Sequence, residues 1–139
     1  LEESLRAPQP GRWADAREQI GFIPCFFHLP ERGKEEAWAQ LLDPDGFRAP
    51  YGITTAERRH PRFRSHGCCG CEWDGAVWPF ATSQTLEALA NVLRDYPQTV
   101  VSSKDYFEAW LTYVRCHRFD SKPYVGEYLD ETTGHWLAC

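Results

Sequence analysis

Trp73-Asp74-Gly75-Ala76-Val77-Trp78-Pro79 is the stretch that decides how this chain is read. Two tryptophans flank an Asp-Gly turn, and the segment closes on a proline. An amphipathic pattern begins directly behind it. Tryptophan is costly to leave in water and offers a flat apolar face. A turn that displays such rings at the mouth of a helix is a common place for a binding site. The rings are therefore either helix-start packing or one wall of a ligand pocket.

The helix behind the turn is expected over Pro79–Tyr96. Pro79 suits the first turn, and Pro97 stops the last one. Leu86, Leu89, Ala90 and Leu93 recur at the helical period. A second helix is expected over Ser103–Arg118, with Ser102 as N-cap and Asp105 three residues on, a near capping box. Its buried stripe reads as Phe107, Trp110, Leu111 and Val114. The connection between them is short, which predicts an antiparallel helical hairpin.

Upstream, residues 1–13 read as loop and residues 14–20 as a short helix. Gly21 to Pro30 is apolar but bracketed by prolines, so it reads as irregular or extended. Glu31 to Leu42 is a helix candidate with Ala37, Trp38, Leu41 and Leu42 on one face. Asp43-Pro44-Asp45-Gly46 is a turn. From Phe47 to Val77 the pattern is loop-like, and a loop of that length inside a compact domain is usually functional. Beyond Phe119 the chain again reads as loop, with a turn at Asp130-Glu131-Thr132-Thr133-Gly134.

Composition narrows the function. The chain has 139 residues, a length for one domain. Its net charge of -5 is spread without a basic block, which argues against nucleic acid as a partner. No apolar run approaches the roughly 20 residues of a membrane span. The sequence begins at Leu1 and holds no methionine, so it reads as an internal piece of a longer protein. The six cysteines include three crowded at 68, 69 and 71. That is no regular disulfide framework, and it favours a reducing, cytoplasmic compartment without fixing one.

Four constellations could carry chemistry. Glu127 stands between Gly126 and Tyr128 beyond the second helix, while Glu72 and Asp74 precede the first. Loops at the two ends of such a hairpin could meet at one rim. Glycoside hydrolysis needs a carboxyl pair across the scissile bond, roughly 6.5–9.5 Å apart in an inverting enzyme, and aromatic faces to hold the sugar. The plainer reading makes Glu127 a solvated loop acid. Second, Cys68 and Cys71 have C-x-x-C spacing with His60 and His66 upstream, but no second ligand pair follows, and the adjacent Cys116 and His117 are poorly placed for one metal. No metal or cofactor is therefore expected. Third, Arg58 and Arg59 could clamp a substrate carboxylate or simply pair with Glu57. Fourth, chance Cys/His pairs exist, but no nucleophile elbow or phosphate-binding glycine loop does.

Taken together, the segments resemble a known family. Trp73-Asp74-Gly75-Ala76-Val77-Trp78-Pro79-Phe80-Ala81-Thr82-Ser83 resembles the W-(N/D)-G-P-x-W-P-x-x-T motif of six-hairpin glycosidases. Gly126-Glu127-Tyr128-Leu129-Asp130 with Thr133-Gly134 resembles their E-x-Y-D-x-x-T-G segment. Arg17 to Phe22, Leu29-Pro30, Ala37-Trp38, Asp43 to Phe47 and Tyr51 to Arg58 are similar to bacterial members. The segments resemble mannosylglycerate-hydrolase-like and mannosyl-oligosaccharide-glucosidase-like enzymes, with trehalases a more distant likeness, and the likeness runs from about Arg17 to Leu137.

The resemblance implies an all-α fold, part of an (α/α)6 toroid with long functional loops, and no cofactor. It implies that residues 1–139 are a single partial domain, the C-terminal portion of a catalytic domain whose N-terminal part is missing. Glu127 matches the general base of an inverting hydrolysis of an α-glycosidic bond in a carbohydrate substrate. Trp73, Asp74, Gly75, Trp78 and Tyr128 match the sugar pocket. The family's acid aspartate has no counterpart in these residues. Two departures stand out: Ala76 replaces the usual proline, which loosens the turn, and the Cys68-Cys69 pair lies outside the pattern. The rival readings are a non-catalytic helical carbohydrate-binding module and a zinc-stabilised interaction domain.

Overall fold

The computed structural model describes residues 15–65 and 73–137. The expected loop at the N-terminus, His66, Cys68, Cys69, Cys71 and Glu72 lie outside the described residues. Two long helices dominate: α3, Pro79–Asp95, and α4, Ser103–Cys116. Pro79 occupies the first turn of α3, where its missing N–H has no intrahelical partner to lose. Ser102 and Asp105 complete a capping box on α4: the serine hydroxyl accepts from the Asp105 N–H, and the Asp105 carboxylate accepts from the Ser102 N–H at 2.8 Å. The two helices pack against each other through their short connection.

Three expectations about the first third are corrected. Of the predicted helix over residues 14–20, residues 15–18 are not helical. A 3-10 turn spans Gln19–Phe22 and runs straight into α1, Ile23–Phe26, so the stretch read as extended is helical. Pro24 sits in the first turn of α1, where proline is tolerated rather than disruptive. This pair packs on α3 more extensively than α4 does. The predicted helix over Glu31–Leu42 is likewise shorter: a 3-10 turn at Glu35–Trp38 followed by α2, Ala39–Leu42. Trp38 and Leu41 are buried from it as expected, whereas Ala37 is exposed.

The loop-like stretch after Phe47 holds a small antiparallel hairpin, β1 (Arg48–Ala49) and β2 (Gly52–Ile53). A second hairpin, β3 (Arg118–Phe119) and β4 (Lys122–Pro123), follows α4. Asp120 and Ser121 turn it with φ of 47° and 63°, the left-handed pair that suits a tight hairpin.

The main core sits on the inner face of α3. Ala88, Leu89 and Val92 pack there with Phe22, Trp38, Leu41, Phe47, Ile53 and Val101. Phe22 meets Trp38 at 4.5 Å between ring centroids and Phe47 edge-on at 5.5 Å. Aromatic rings therefore supply much of the burial in a short chain.

The apolar stripe of α4 is not buried. Phe107, Trp110 and Val114 are exposed, and Leu111 is half-buried. The periodicity marked a real apolar face, but α4 turns other residues to the molecule. Tyr106 packs at the edge of the main core, and Asp105, Glu108, Ala109 and Thr112 line a small recess beside β1 and β2. Among the described residues no helix is long and apolar enough to cross a membrane.

Candidate functional site

The tryptophan turn is held from three sides. Gly75 N–H donates to Thr55 Oγ1 at 3.1 Å, and the Ala76 carbonyl accepts from both the Thr55 N–H and its hydroxyl. The Asp74 carbonyl accepts from the Arg64 N–H at 2.9 Å. Gly75 has φ of 156°, and a Cβ there would lie 2.7 Å from the Phe63 ring, so only glycine fits. Ala76 is fully buried within this network.

Val77 carries the turn to the far loop. Its N–H and carbonyl exchange hydrogen bonds with Leu129 at 3.0 and 2.9 Å. Thr54 bridges Val77 on one side, and Trp136 bridges Leu129 on the other. Together these single bridges act as a narrow sheet. They fix Glu127 and Tyr128 beside Trp78, although the whole α3–α4 unit separates them in sequence. The expectation that these loops meet at one rim holds.

The rings follow from that register. Trp78 stacks on Tyr128 at 5.0 Å and on Trp73 at 4.1 Å, with interplanar angles of 13° and 21°. Trp78 and Tyr128 are buried, at 5% and 1% exposure, while Trp73 keeps 49%. Trp78 is therefore core, and Trp73 presents a face to solvent.

Two open clefts flank the start of α3. One, of about 520 Å³, is lined by Trp78, Phe80, Ser83, Tyr113, His117 and Glu127 among others. The other, of about 470 Å³, is lined by Trp73, Gln19, Thr55, Phe80 and Gln84 among others. Exposed Phe80 contributes to both. Of the residues singled out from sequence, Trp78 and Glu127 share the first cleft and Trp73 lines the second. Tyr128 backs the stack from inside. Asp74 is half-buried at the turn. Phe80, Tyr113 and His117 were missed: α4 reads as a packing helix, and nothing in its sequence says that its last turn borders a cleft.

The Glu57, Arg58 and Arg59 side chains pair within the chain. Glu57 is buried and accepts from the Arg17 N–H at 2.9 Å and guanidinium at 2.8 Å. Burial is the strongest single influence on Glu57 and opposes its ionisation. The Arg17 hydrogen bonds and the charges of Arg17 and Arg59 together outweigh it, so the carboxyl titrates below its usual range. Arg58 donates to the carbonyls of Pro44 and Arg48, and Arg59 pairs with Asp43. Arg59 also lies 3.5 Å from the Glu57 carboxylate, the pairing offered from sequence beside a substrate clamp.

Among the described residues no group of three His, Cys, Asp or Glu could hold a metal ion. Cys25 and Cys116 are free thiols whose pKa burial raises, which disfavours the thiolate. Cys116 donates to the Tyr51 carbonyl, and His117 faces Tyr113, so the adjacent pair points to different partners.

The helical scaffold is part of an (α/α)6 fold of the six-hairpin glycoside hydrolase class. The chain matches the mannosylglycerate hydrolase MGH1-like glycoside hydrolase domain over residues 3–138 and belongs to that family. Among solved structures it is similar to a protein named as a sialidase, with 53% identity and a TM-score of 0.89, over 93% of this chain and 12% of that one. It is also similar to a GH63 mannosylglycerate hydrolase from Thermus thermophilus in complex with glucose. That match has 19% identity and a TM-score of 0.66, and covers 89% of this chain and 28% of the other. An uncharacterized conserved protein from Thermus thermophilus matches at 20% identity and a TM-score of 0.67, over 91% and 28% of the two chains. No curated protein matches the chain. The chain spans between 12% and 28% of the length of these solved structures.

Proposed function

We propose that this chain is the C-terminal portion of the catalytic domain of an inverting glycoside hydrolase that cleaves an α-glycosidic bond in a small or oligomeric sugar. Glu127 takes a proton from a water molecule, whose oxygen attacks the anomeric carbon. The bond to the leaving oxygen breaks on the opposite face, and that oxygen receives a proton from an aspartate outside these residues. Trp73, Asp74, Gly75, Trp78 and Tyr128 shape the sugar subsite. Trp73 offers an open aromatic face in the neighbouring cleft, which shares Phe80 with the Glu127 cleft, and Trp78 and Tyr128 hold it in place.

One observation carries this reading: the paired Val77 and Leu129 set Glu127 in a single open cleft with Trp78 at the head of α3. A carboxylate that reaches solvent beside stacked rings suits a base that must meet both a water and a sugar. The exposed Phe107, Trp110 and Val114 support the partial-domain reading, since the remaining helices of a toroid would cover such a face. The small share of each matched structure that the chain spans supports it further.

The test is Glu127→Gln in the intact protein. Turnover is expected to fall by roughly 10²–10⁴-fold while glucose still binds, the usual cost of removing a general base. Unchanged turnover overturns the assignment. A non-catalytic sugar-binding module would bind glucose and show no turnover in the wild type.

A further inference from the structure

His117 is the residue of the Glu127 cleft with the most constrained geometry. It follows the last turn of α4, and every polar atom but one is occupied. Its N–H donates to the Val114 carbonyl at 3.3 Å, and its carbonyl accepts from the Tyr124 N–H at 3.1 Å. Its Nδ1 lies 2.6 Å from the Tyr113 carbonyl. A carbonyl oxygen only accepts, so Nδ1 carries a proton. In the neutral imidazole that leaves Nε2 with a bare lone pair, and no described residue donates to it. The ring is wedged edge-on between Tyr113 at 4.5 Å and Trp136 at 5.9 Å.

Capping alone explains half of this. Tyr113 has one of the last carbonyls of α4, which lack helical partners, and a histidine after the helix can satisfy one. Capping does not explain why His117 also lines the cleft that holds Glu127. Nor does it explain how tightly the two are joined. Gly126, just before Glu127, packs so closely on Trp136 that a Cβ would lie 2.4 Å from the indole, and Trp136 in turn braces the His117 ring. A fixed ring with one committed and one open nitrogen is a preorganised acceptor.

We propose that His117 is a specificity-determining residue whose Nε2 accepts a hydrogen bond from a neutral sugar hydroxyl in the cleft shared with Glu127. This rests on the sugar-cleft reading above. The ligand class is a hydroxylated ring without an anionic group at this point, because a carboxylate there would require the imidazolium instead.

The experiment uses the intact protein, glucose as probe, and two substitutions that divide the functions of the ring. His117→Gln places an amide near the Nε2 position; His117→Asn keeps a donor near Nδ1 and removes the Nε2 acceptor. Calorimetry should show glucose affinity near wild type for His117→Gln and about tenfold weaker for His117→Asn, one net hydrogen bond. In wild type, the imidazole nitrogen signals at mildly alkaline pH should report the Nδ1-protonated tautomer, with Nε2 shifting when glucose saturates. Asn tolerated and Gln impaired, with Nε2 unmoved, would make His117 a cap only and overturn the proposal while leaving the Glu127 reading intact. Protonation of Nε2 on binding overturns the neutral-hydroxyl assignment. Wild type that binds no glucose overturns this proposal, and if Glu127→Gln also leaves turnover unchanged, the cleft reading falls with it.

Discussion

Trp78 and Tyr128 stack 5.0 Å apart and 13° from parallel, with two helices of sequence between them. The contact closes a loop in the chain. Val77 and Leu129, the neighbours of these rings, exchange a pair of backbone hydrogen bonds. Ring stacking and backbone pairing therefore fix one register, and that register decides which side chains stand beside Glu127.

The three stacked rings should separate by function. Trp78→Ala removes a buried ring and should cost about 3–5 kcal/mol of stability. Trp73→Ala removes a half-exposed ring and should cost about 1 kcal/mol, the scale of one aromatic contact. Glucose affinity should nevertheless fall in Trp73→Ala. Urea unfolding and calorimetry on both variants check this. Equal losses of stability would mean that Trp73 is packed no differently from Trp78.

Gly126→Ala should disturb the carboxylate loop from behind. The added methyl meets the Trp136 indole, and overpacking of this kind costs roughly 1–3 kcal/mol. The loop must shift, carrying Glu127 with it, so kcat should fall more than the loss of folded protein accounts for. Steady-state kinetics normalised to the folded fraction would read it. A variant with full kcat would show that the close approach is incidental.

Ser102→Ala should weaken the start of α4. It removes the side-chain half of the capping box, typically about 1 kcal/mol. Chemical denaturation should show this, and turnover of the remaining folded protein should not change, because the capping box lies at the end of α4 away from His117. A neutral substitution would mean that packing on α3 alone sets the helix start.

Acid should destabilise the protein through Glu57 and Asp130. In both, burial is the largest influence and raises the pKa, but hydrogen bonds and nearby arginines outweigh it. For Asp130 these are bonds from Thr133 and Thr132 and the charge of Arg64. A carboxyl whose folded pKa lies below its unfolded value contributes stability above the unfolded pKa and loses it as pH falls through the folded one. The loss should therefore set in below about pH 5. Glu57→Gln should be less stable at neutral pH and show a shallower acid decline. Parallel pH curves for the two proteins would argue that Glu57 contributes nothing to the acid response.

The α4 face should behave differently in isolation and in the intact protein. In the 139-residue chain alone, Phe107→Ser with Trp110→Ser should reduce self-association, since it removes exposed apolar surface. In the intact protein the same pair should destabilise the fold. Sedimentation of the first and thermal unfolding of the second check it. Indifference in both would mean that nothing covers this face.

Local chemistry was legible along the chain. Pro79 and the Ser102–Asp105 box mark where α3 and α4 begin, because proline geometry and capping act within a few residues. The segment motifs around Trp73 and Glu127 point to the family for the same reason: each is a short run whose residues act together. Pro24, read as a breaker, opens α1 instead, since proline position within a turn matters and the turn itself is set by packing on α3. The stripe of α4 was visible as a period, but a period gives a face and not the object it faces.

By itself, then, the sequence determined the two long helices, their starts and the pair of loops that hold carboxylate and rings. The tertiary structure alone decided that Trp78 is buried while Trp73 is open, that Arg58 and Arg59 are spent on carbonyls and Asp43, and that His117 borders the cleft. The physical reason is range. Capping and periodicity are near-neighbour effects, whereas exposure, pairing and cleft membership depend on which distant segments the Val77–Leu129 bridge and the α3 core bring together.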